Sequence, residues 1–237
     1  MKQFLLFTGP FKQYQRGLLN NYFIAPGIIV IQEPNNTNSS KLGAVEINAS
    51  FRNHWGFDFS ITAGPYYEAD TNYFYRSINL STWGPIAAQQ FNFGFYYSYT
   101  YNYSREFLAY RGENWLSYSY SIIPQLSISL SSNLWVEWDT TNSIIAIWPL
   151  LRPQIFLRIN PYMHLSIFNE FVMQTPGTRF GDTDLISNRI GLLFSWNFLP
   201  KSWLYIAVND YREQDEAGQL QPQYRIGAIK AKYLVYF

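Results

Sequence analysis

Between residues 91 and 103 every second side chain is aromatic. Phe91, Phe93, Phe95, Tyr97, Tyr99, Tyr101 and Tyr103 hold the odd positions; Asn92, Gly94, Tyr96, Ser98, Thr100 and Asn102 hold the even ones. A period of two kept over this length predicts a strand with one apolar and one polar face. The apolar face passes from phenylalanine to tyrosine along its length. A face that meets hydrocarbon and then a headgroup zone has that gradient. On this strand alone, a soluble β-sandwich or barrel binding an apolar ligand is the alternative.

The same period recurs along the chain. Val45, Ile47, Ala49 and Phe51 alternate with polar residues, as do Trp55 to Ala63, Leu116 to Ile122 and Leu126 to Trp138. So do 150–160, 163–171, 190–198, 204–208 and 224–237, with weaker strands at 21–32 and 73–83. The pattern predicts about twelve strands, within a range of roughly 10–14. Tight turns are expected at 52–54, 84–86, 124–125, 160–161 and 199–202. Long polar loops are expected at 33–41, 66–72, 104–114, 175–185 and 212–221, with a short exception at 140–142. Tight turns at one end and long loops at the other are the outer-membrane pattern. The expected fold is therefore all-β: a closed antiparallel transmembrane β-barrel over 18–237, with short periplasmic turns and longer extracellular loops. An even strand count would put both termini at the tight-turn end. Residues 1–17 are expected to be a lead, a plug or an extra strand.

Composition sharpens this picture. Aromatic residues make up 20% of the chain and charged residues 14%, against about 25% charged in average soluble proteins. The longest nearly apolar run, Ile144 to Leu151, is broken by Pro149, and a spanning helix needs roughly 20 residues. A chain poor in charge without a spanning helix fits a barrel, whose apolar residues lie at alternate positions. The net charge of +1 gives no reason to expect a nucleic-acid partner, and the absence of cysteine removes disulfides and thiolate sites. The apolar stretch in Met1 to Phe7 is short for a secretory signal, so the numbering is expected to begin on a mature or truncated chain.

The C-terminal Tyr233, Val235 and Phe237 share one face. They resemble the aromatic signal that outer-membrane barrels present to their assembly machinery. The order Asn188-Arg189-Ile190, Trp196, Pro200-Lys201-Ser202, Leu204-Tyr205 is similar to the end of barrels in a Bacteroidetes-type family of unknown function. Members of that family join a carbohydrate-binding-like domain to a C-terminal barrel, and tend to have glycine where Lys201 stands. The resemblance implies an outer-membrane location. It implies the lipid bilayer, the barrel-assembly machinery and other envelope proteins as partners. It supplies no catalytic residues and no cofactor.

Twelve strands also resemble the outer-membrane phospholipase, and His164, Ser166 and Asn169 lie close in sequence. Residues i and i+2 on a strand are about 6.5–7 Å apart, too far for a nucleophile and its base to bond directly. His164 and Ser166 also fall on the polar face, which a lipid substrate does not reach. No metal or cofactor motif stands out, and no catalysis is expected. The polar faces instead supply lumen-lining candidates: Arg52, Asp58, Glu137, Asp139, Arg152, Arg158, His164, Glu170, Arg189, Lys230 and Lys232. They are expected either to set the selectivity of a narrow pore or to pair and fill a structural barrel of an envelope complex.

Overall fold

The computed structural model describes residues 2–32, 38–86 and 89–234. They form one 14-stranded antiparallel sheet with a single 3-10 turn at Phe180–Asp182. The strands are β1 (Lys2–Phe7), β2 (Phe11–Gln13), β3 (Leu19–Gln32), β4 (Ser39–Phe51), β5 (Gly56–Glu68), β6 (Thr71–Ile86) and β7 (Gln89–Asn102). They continue with β8 (Phe107–Ile123), β9 (Leu126–Trp138), β10 (Ile144–Asn160), β11 (Met163–Pro176), β12 (Asp184–Leu199), β13 (Ser202–Gln214) and β14 (Leu220–Lys232). From β3 onward each strand pairs with its neighbour in sequence.

β1 and β2 lie along the same edge of β3 and keep one register, Phe7 opposite Gly27 and Phe11 opposite Phe23. They are one strand interrupted at Thr8-Gly9-Pro10, where Pro10 cannot donate to the ladder. The segment 1–17 thus contributes a sheet edge. The strand path β1-β3-β4 through β14 then has thirteen members. An odd path makes its first and last strands run in the same direction, so the antiparallel closure expected from an even count is not available. Among the described residues no pairing joins the two edges, and the sheet is not closed into a barrel.

The strands are longer than the hydrophobic pattern predicts. β5 and β6 run through most of the expected loop 66–72 and meet at the two-residue turn Ala69-Asp70, both with positive φ. β8 begins at Phe107, within the expected loop 104–114. Tyr, Thr, Ser and Asn continue the ladder here because backbone pairing does not need an apolar face. The contrast between the two faces fades where both are polar, and periodicity then reads as loop.

The chain divides into two compact units, Met1–Trp115 with Leu134–Ile147, and Leu116–Asn133 with Trp148–Phe237. In the first unit Val45, Ile61, Ile78 and Tyr97 stand in register across four strands. Val45, Ile61 and Ile78 are all exposed, as is Phe93 at 38%. In the second, Leu165, Phe194, Ile206 and Ile229 form the equivalent row, and Ile229 is 76% exposed. The apolar row is exposed on one face of the first unit; in the second, Leu165, Phe194 and Ile206 are half-buried, and Leu193 on the opposite face is exposed as well.

Candidate functional site

The opposite face of the first unit encloses a cavity of about 620 Å³. Alternation builds it. Even positions of β5, odd positions of β6 and even positions of β7 share this face, because Thr62 pairs with Ser77 and Ser77 with Ser98. Serine and threonine in that row leave the volume open. Toward the Ala69-Asp70 turn the same parity brings up Tyr66, Glu68, Tyr73 and Tyr75, with Tyr96 and Thr100 beside them on β7. Ile29, Ile31, Leu42 and Val136 add an apolar patch to the wall.

The tyrosine hydroxyls form two hydrogen-bonded groups, with the Tyr66 ring between them. Tyr73 donates to Glu68 Oε2 at 2.7 Å, and Tyr103 donates to Oε1 at 3.0 Å. The Tyr75 and Tyr96 hydroxyls lie 2.6 Å apart. The Tyr66 ring sits 5.6 Å from Tyr73 and 5.4 Å from Tyr75, centroid to centroid. On the same wall, buried Glu137 holds Arg105, whose Nε and Nη2 both donate to Oε2 at 3.0 Å. Arg111 Nη2 lies 4.0 Å from Oε1, and Asn102 Nδ2 donates to that atom at 3.5 Å. Charge-assisted bonds of this kind offset the cost of holding a carboxylate away from water.

The second unit carries a smaller polar cluster. Arg152 lies 3.6 Å from Glu170 and places its guanidinium 4.2 Å from the Phe168 ring centroid. Arg189 approaches the same ring at 5.8 Å and donates from Nε to Asn209 at 3.1 Å. Phe168 can lie flat here because its partner across the ladder is Gly191, where a Cβ would stand 2.2 Å from the ring. Two cations thus approach one aromatic ring.

The expected lumen residues are therefore dispersed. Glu137 faces the cavity, while Arg152, Glu170 and Arg189 meet in the second unit. Asp58 accepts from Asn79 at 3.5 Å. Arg52 is exposed in the 52–55 turn, its guanidinium donating to the Tyr14 carbonyl. Arg158, Lys230 and Lys232 are exposed, the two lysines opposite Tyr205 and Trp203. His164 stacks on Phe156 at 5.8 Å. Ser166 accepts from Gln154 at 2.8 Å, and Asn169 accepts from Asn188 at 2.7 Å. His164, Ser166 and Asn169 each turn to a different neighbour. Of the C-terminal residues, Tyr233 stacks on Phe198 at 6.4 Å; Val235 and Phe237 lie outside the described residues.

Asp139 belongs to a turn. Its Oδ1 accepts from the Thr141 amide at 2.8 Å, the Thr141 hydroxyl at 2.7 Å and the Ser143 amide at 2.9 Å. Asn142 takes positive φ at the turn's corner. Asp215 repeats this arrangement with the amides of Ala217 and Gln219 and positive φ at Gly218. The bonds from Ser143 and Thr141 hold the Asp139 carboxyl below the usual carboxylate range, and those from Gln219, Gln221 and Ala217 do the same for Asp215. A carboxylate whose pKa falls on folding adds stability above its unfolded value and loses it as pH drops through the folded value. Amide exchange at Ser143 and Gln219, corrected for intrinsic rate, is therefore expected to stay slow down to pH about 4 and to rise steeply below it. Asp139→Ala is expected to abolish that step at Ser143 alone.

The lining residues Tyr66, Glu68, Tyr75 and Arg111, with Tyr73 and Arg105 bonded behind them, were not foreseen as site residues, because four of the six fall in segments whose polarity reads as loop and Tyr73 and Tyr75 in a weak strand. The available signal was parity: Tyr66 and Glu68 continue the even positions of Ser60 and Thr62. Comparison with protein-family models, with curated proteins and with solved structures returned no match.

Proposed function

We propose that this protein is a bacterial outer-membrane β-barrel that does no chemistry and gives a small solute a narrow polar passage. The observation that supports this reading most is the sorting of the two faces. Val45, Ile61, Ile78 and Phe93 are exposed on one, while hydroxyls and carboxylates surround the cavity on the other. Water-soluble monomers rarely expose contiguous apolar surface of this kind. Arg76 adds to it. It stands on the apolar face over Tyr99 at 5.4 Å and Tyr110 at 5.0 Å, as cationic and amphipathic groups do at a headgroup boundary. The hydroxyl-rich cavity also speaks against a soluble carrier of an apolar ligand. In a bilayer the open edges along β1 and β14 need hydrogen-bonding partners; because the path has thirteen strands, closing them on each other would take a parallel pair, and this reading requires one. The lipid bilayer and the barrel-assembly machinery are the partners this reading requires. The C-terminal resemblance to barrels of a Bacteroidetes-type family agrees with it.

Reconstitution tests the proposal. The protein is expected to need detergent to stay dispersed, to insert into vesicles, and to give small current steps across a planar bilayer. Monodisperse behaviour in plain buffer would remove the membrane reading. Insertion without current steps would replace the passage by a structural role in an envelope complex.

A further inference from the structure

The cavity wall of the first unit also bears on which solutes it favours. Glu68 accepts hydrogen bonds from neutral hydroxyls alone: Tyr73 at 2.7 Å, Tyr103 at 3.0 Å and Thr100 at 3.5 Å. No cationic side chain reaches it among the described residues. Glu137, by contrast, is held by Arg105 and Arg111. Arg111 is the one cationic residue among the described lining residues, and it sits beside Glu137. Glu68 is therefore a carboxylate on this wall that no cationic side chain of the described residues meets, in a cavity that the rings of Tyr66, Tyr75 and Tyr96 also line.

Carboxylate and rings together select a ligand class. Beside Glu68 an anion meets like charge. A neutral polyol gains hydroxyl contacts but nothing from the charge. A hydrated divalent metal wants six or more oxygen ligands, and no cluster of three or more potential metal-binding side chains occurs among the described residues. A cation with an apolar skin gains from both, since aromatic faces attract ammonium groups within about 6 Å and the gain grows where water is scarce. We propose that this cavity binds a small organic cation, an alkylammonium or quaternary ammonium group, with Glu68 as its counter-ion and Tyr66, Tyr75 and Tyr96 as its aromatic wall. The inference rests on the reading of this face as the solute-facing one, and it names the class of solute.

The test is a titration of the full chain in an oligo-oxyethylene detergent, which brings neither ammonium nor sugar. Choline is the probe, 3,3-dimethylbutan-1-ol its neutral isostere, and glucose the polyol. Binding is followed by ligand-observed saturation-transfer NMR and by tryptophan fluorescence, since Trp135 lines the cavity. Choline is expected to bind at least about tenfold more tightly than its isostere, and Glu68→Gln to weaken it by about tenfold. Tyr66→Leu is expected to weaken it several-fold. The isostere comparison uses the unaltered protein and does not depend on any variant folding. Isostere or glucose binding as tightly as choline, or a folded Glu68→Gln protein with unchanged affinity, would overturn the inference. Micelle titration needs no current. Choline binding without current steps would therefore end the passage reading and keep this one, and current without choline binding would do the reverse.

Discussion

Replacing Gly64 by alanine is expected to cost the fold about 3 kcal/mol. Gly64 has φ +154°, and a Cβ there would stand 2.3 Å from the Lys41 carbonyl oxygen and 2.9 Å from the Leu42 Cα. Both are backbone atoms of a paired strand, so neither can swing aside. The β4–β5 ladder ends at Gly43 opposite Ala63, and Gly64 is the next residue, where the two strands cross closely. Backbone strain at such a position costs about 1–3 kcal/mol, and forced overpacking about the same again. The site matters for the cavity as well, since Leu42, Thr62 and Tyr66 all line it. Urea unfolding in micelles measures the loss, with Gly43→Ala as control. At Gly43 a Cβ would meet only the Ala63 oxygen, at 3.8 Å, so that variant is expected to shift stability by less than about 1 kcal/mol. Equal midpoints for the two variants would show that the close approach is not present in solution.

The second large effect is expected at Glu137. Glu137→Ala removes the shared acceptor of Arg105, Arg111 and Asn102 and leaves both guanidinium groups without this carboxylate. Breaking a fully buried pair costs about 3–5 kcal/mol, and an exposed pair is worth about 0–1 kcal/mol. Here the carboxylate side chain is 10% exposed but Arg105 is 35% exposed, so solvent takes up part of the charge. A loss of about 2 kcal/mol follows from that intermediate position. Glu137→Gln keeps an acceptor oxygen and is expected to lose about half as much. A double-mutant cycle with Arg105→Ala, read by the same unfolding experiment, isolates the pair; coupling near zero would mean that the two-donor contact on Oε2 is not formed in solution.

Much of the sheet was legible because alternation is a local property. The period-two runs 91–102, 126–138 and 190–198 each lie in a strand, since a strand's two faces are set by the sequence on that strand alone. The outward row Val45, Ile61 and Ile78 was foreseeable for the same reason. The lengths of the strands were not, because paired backbone at the polar ends draws its stability from the neighbouring strand. No contrast along a single segment reports that. Residues 1–17 left a lead, a plug and an extra strand open on the same ground: β1 and β2 exist because β3 offers them an edge.

The candidate site divides in the same way. Alternation placed Glu137 on the polar face, and Arg152, Glu170 and Arg189 on another stretch of it. It could not say which cation would reach which carboxylate. Glu68 and Tyr103 lie 35 residues apart, as Arg105 and Glu137 lie 32 apart, and such partners are chosen by register across strands. Asp139 shows the limit most clearly: parity put it inside, whereas the amides of its own turn captured it. By itself, then, the sequence determined the class of fold and the side of the sheet on which most residues fall, because both follow from one strand at a time. Tertiary structure alone decided that the strand path is odd and open, and that Glu68 meets tyrosines without a cation, because pairing and cavity walls are made between strands.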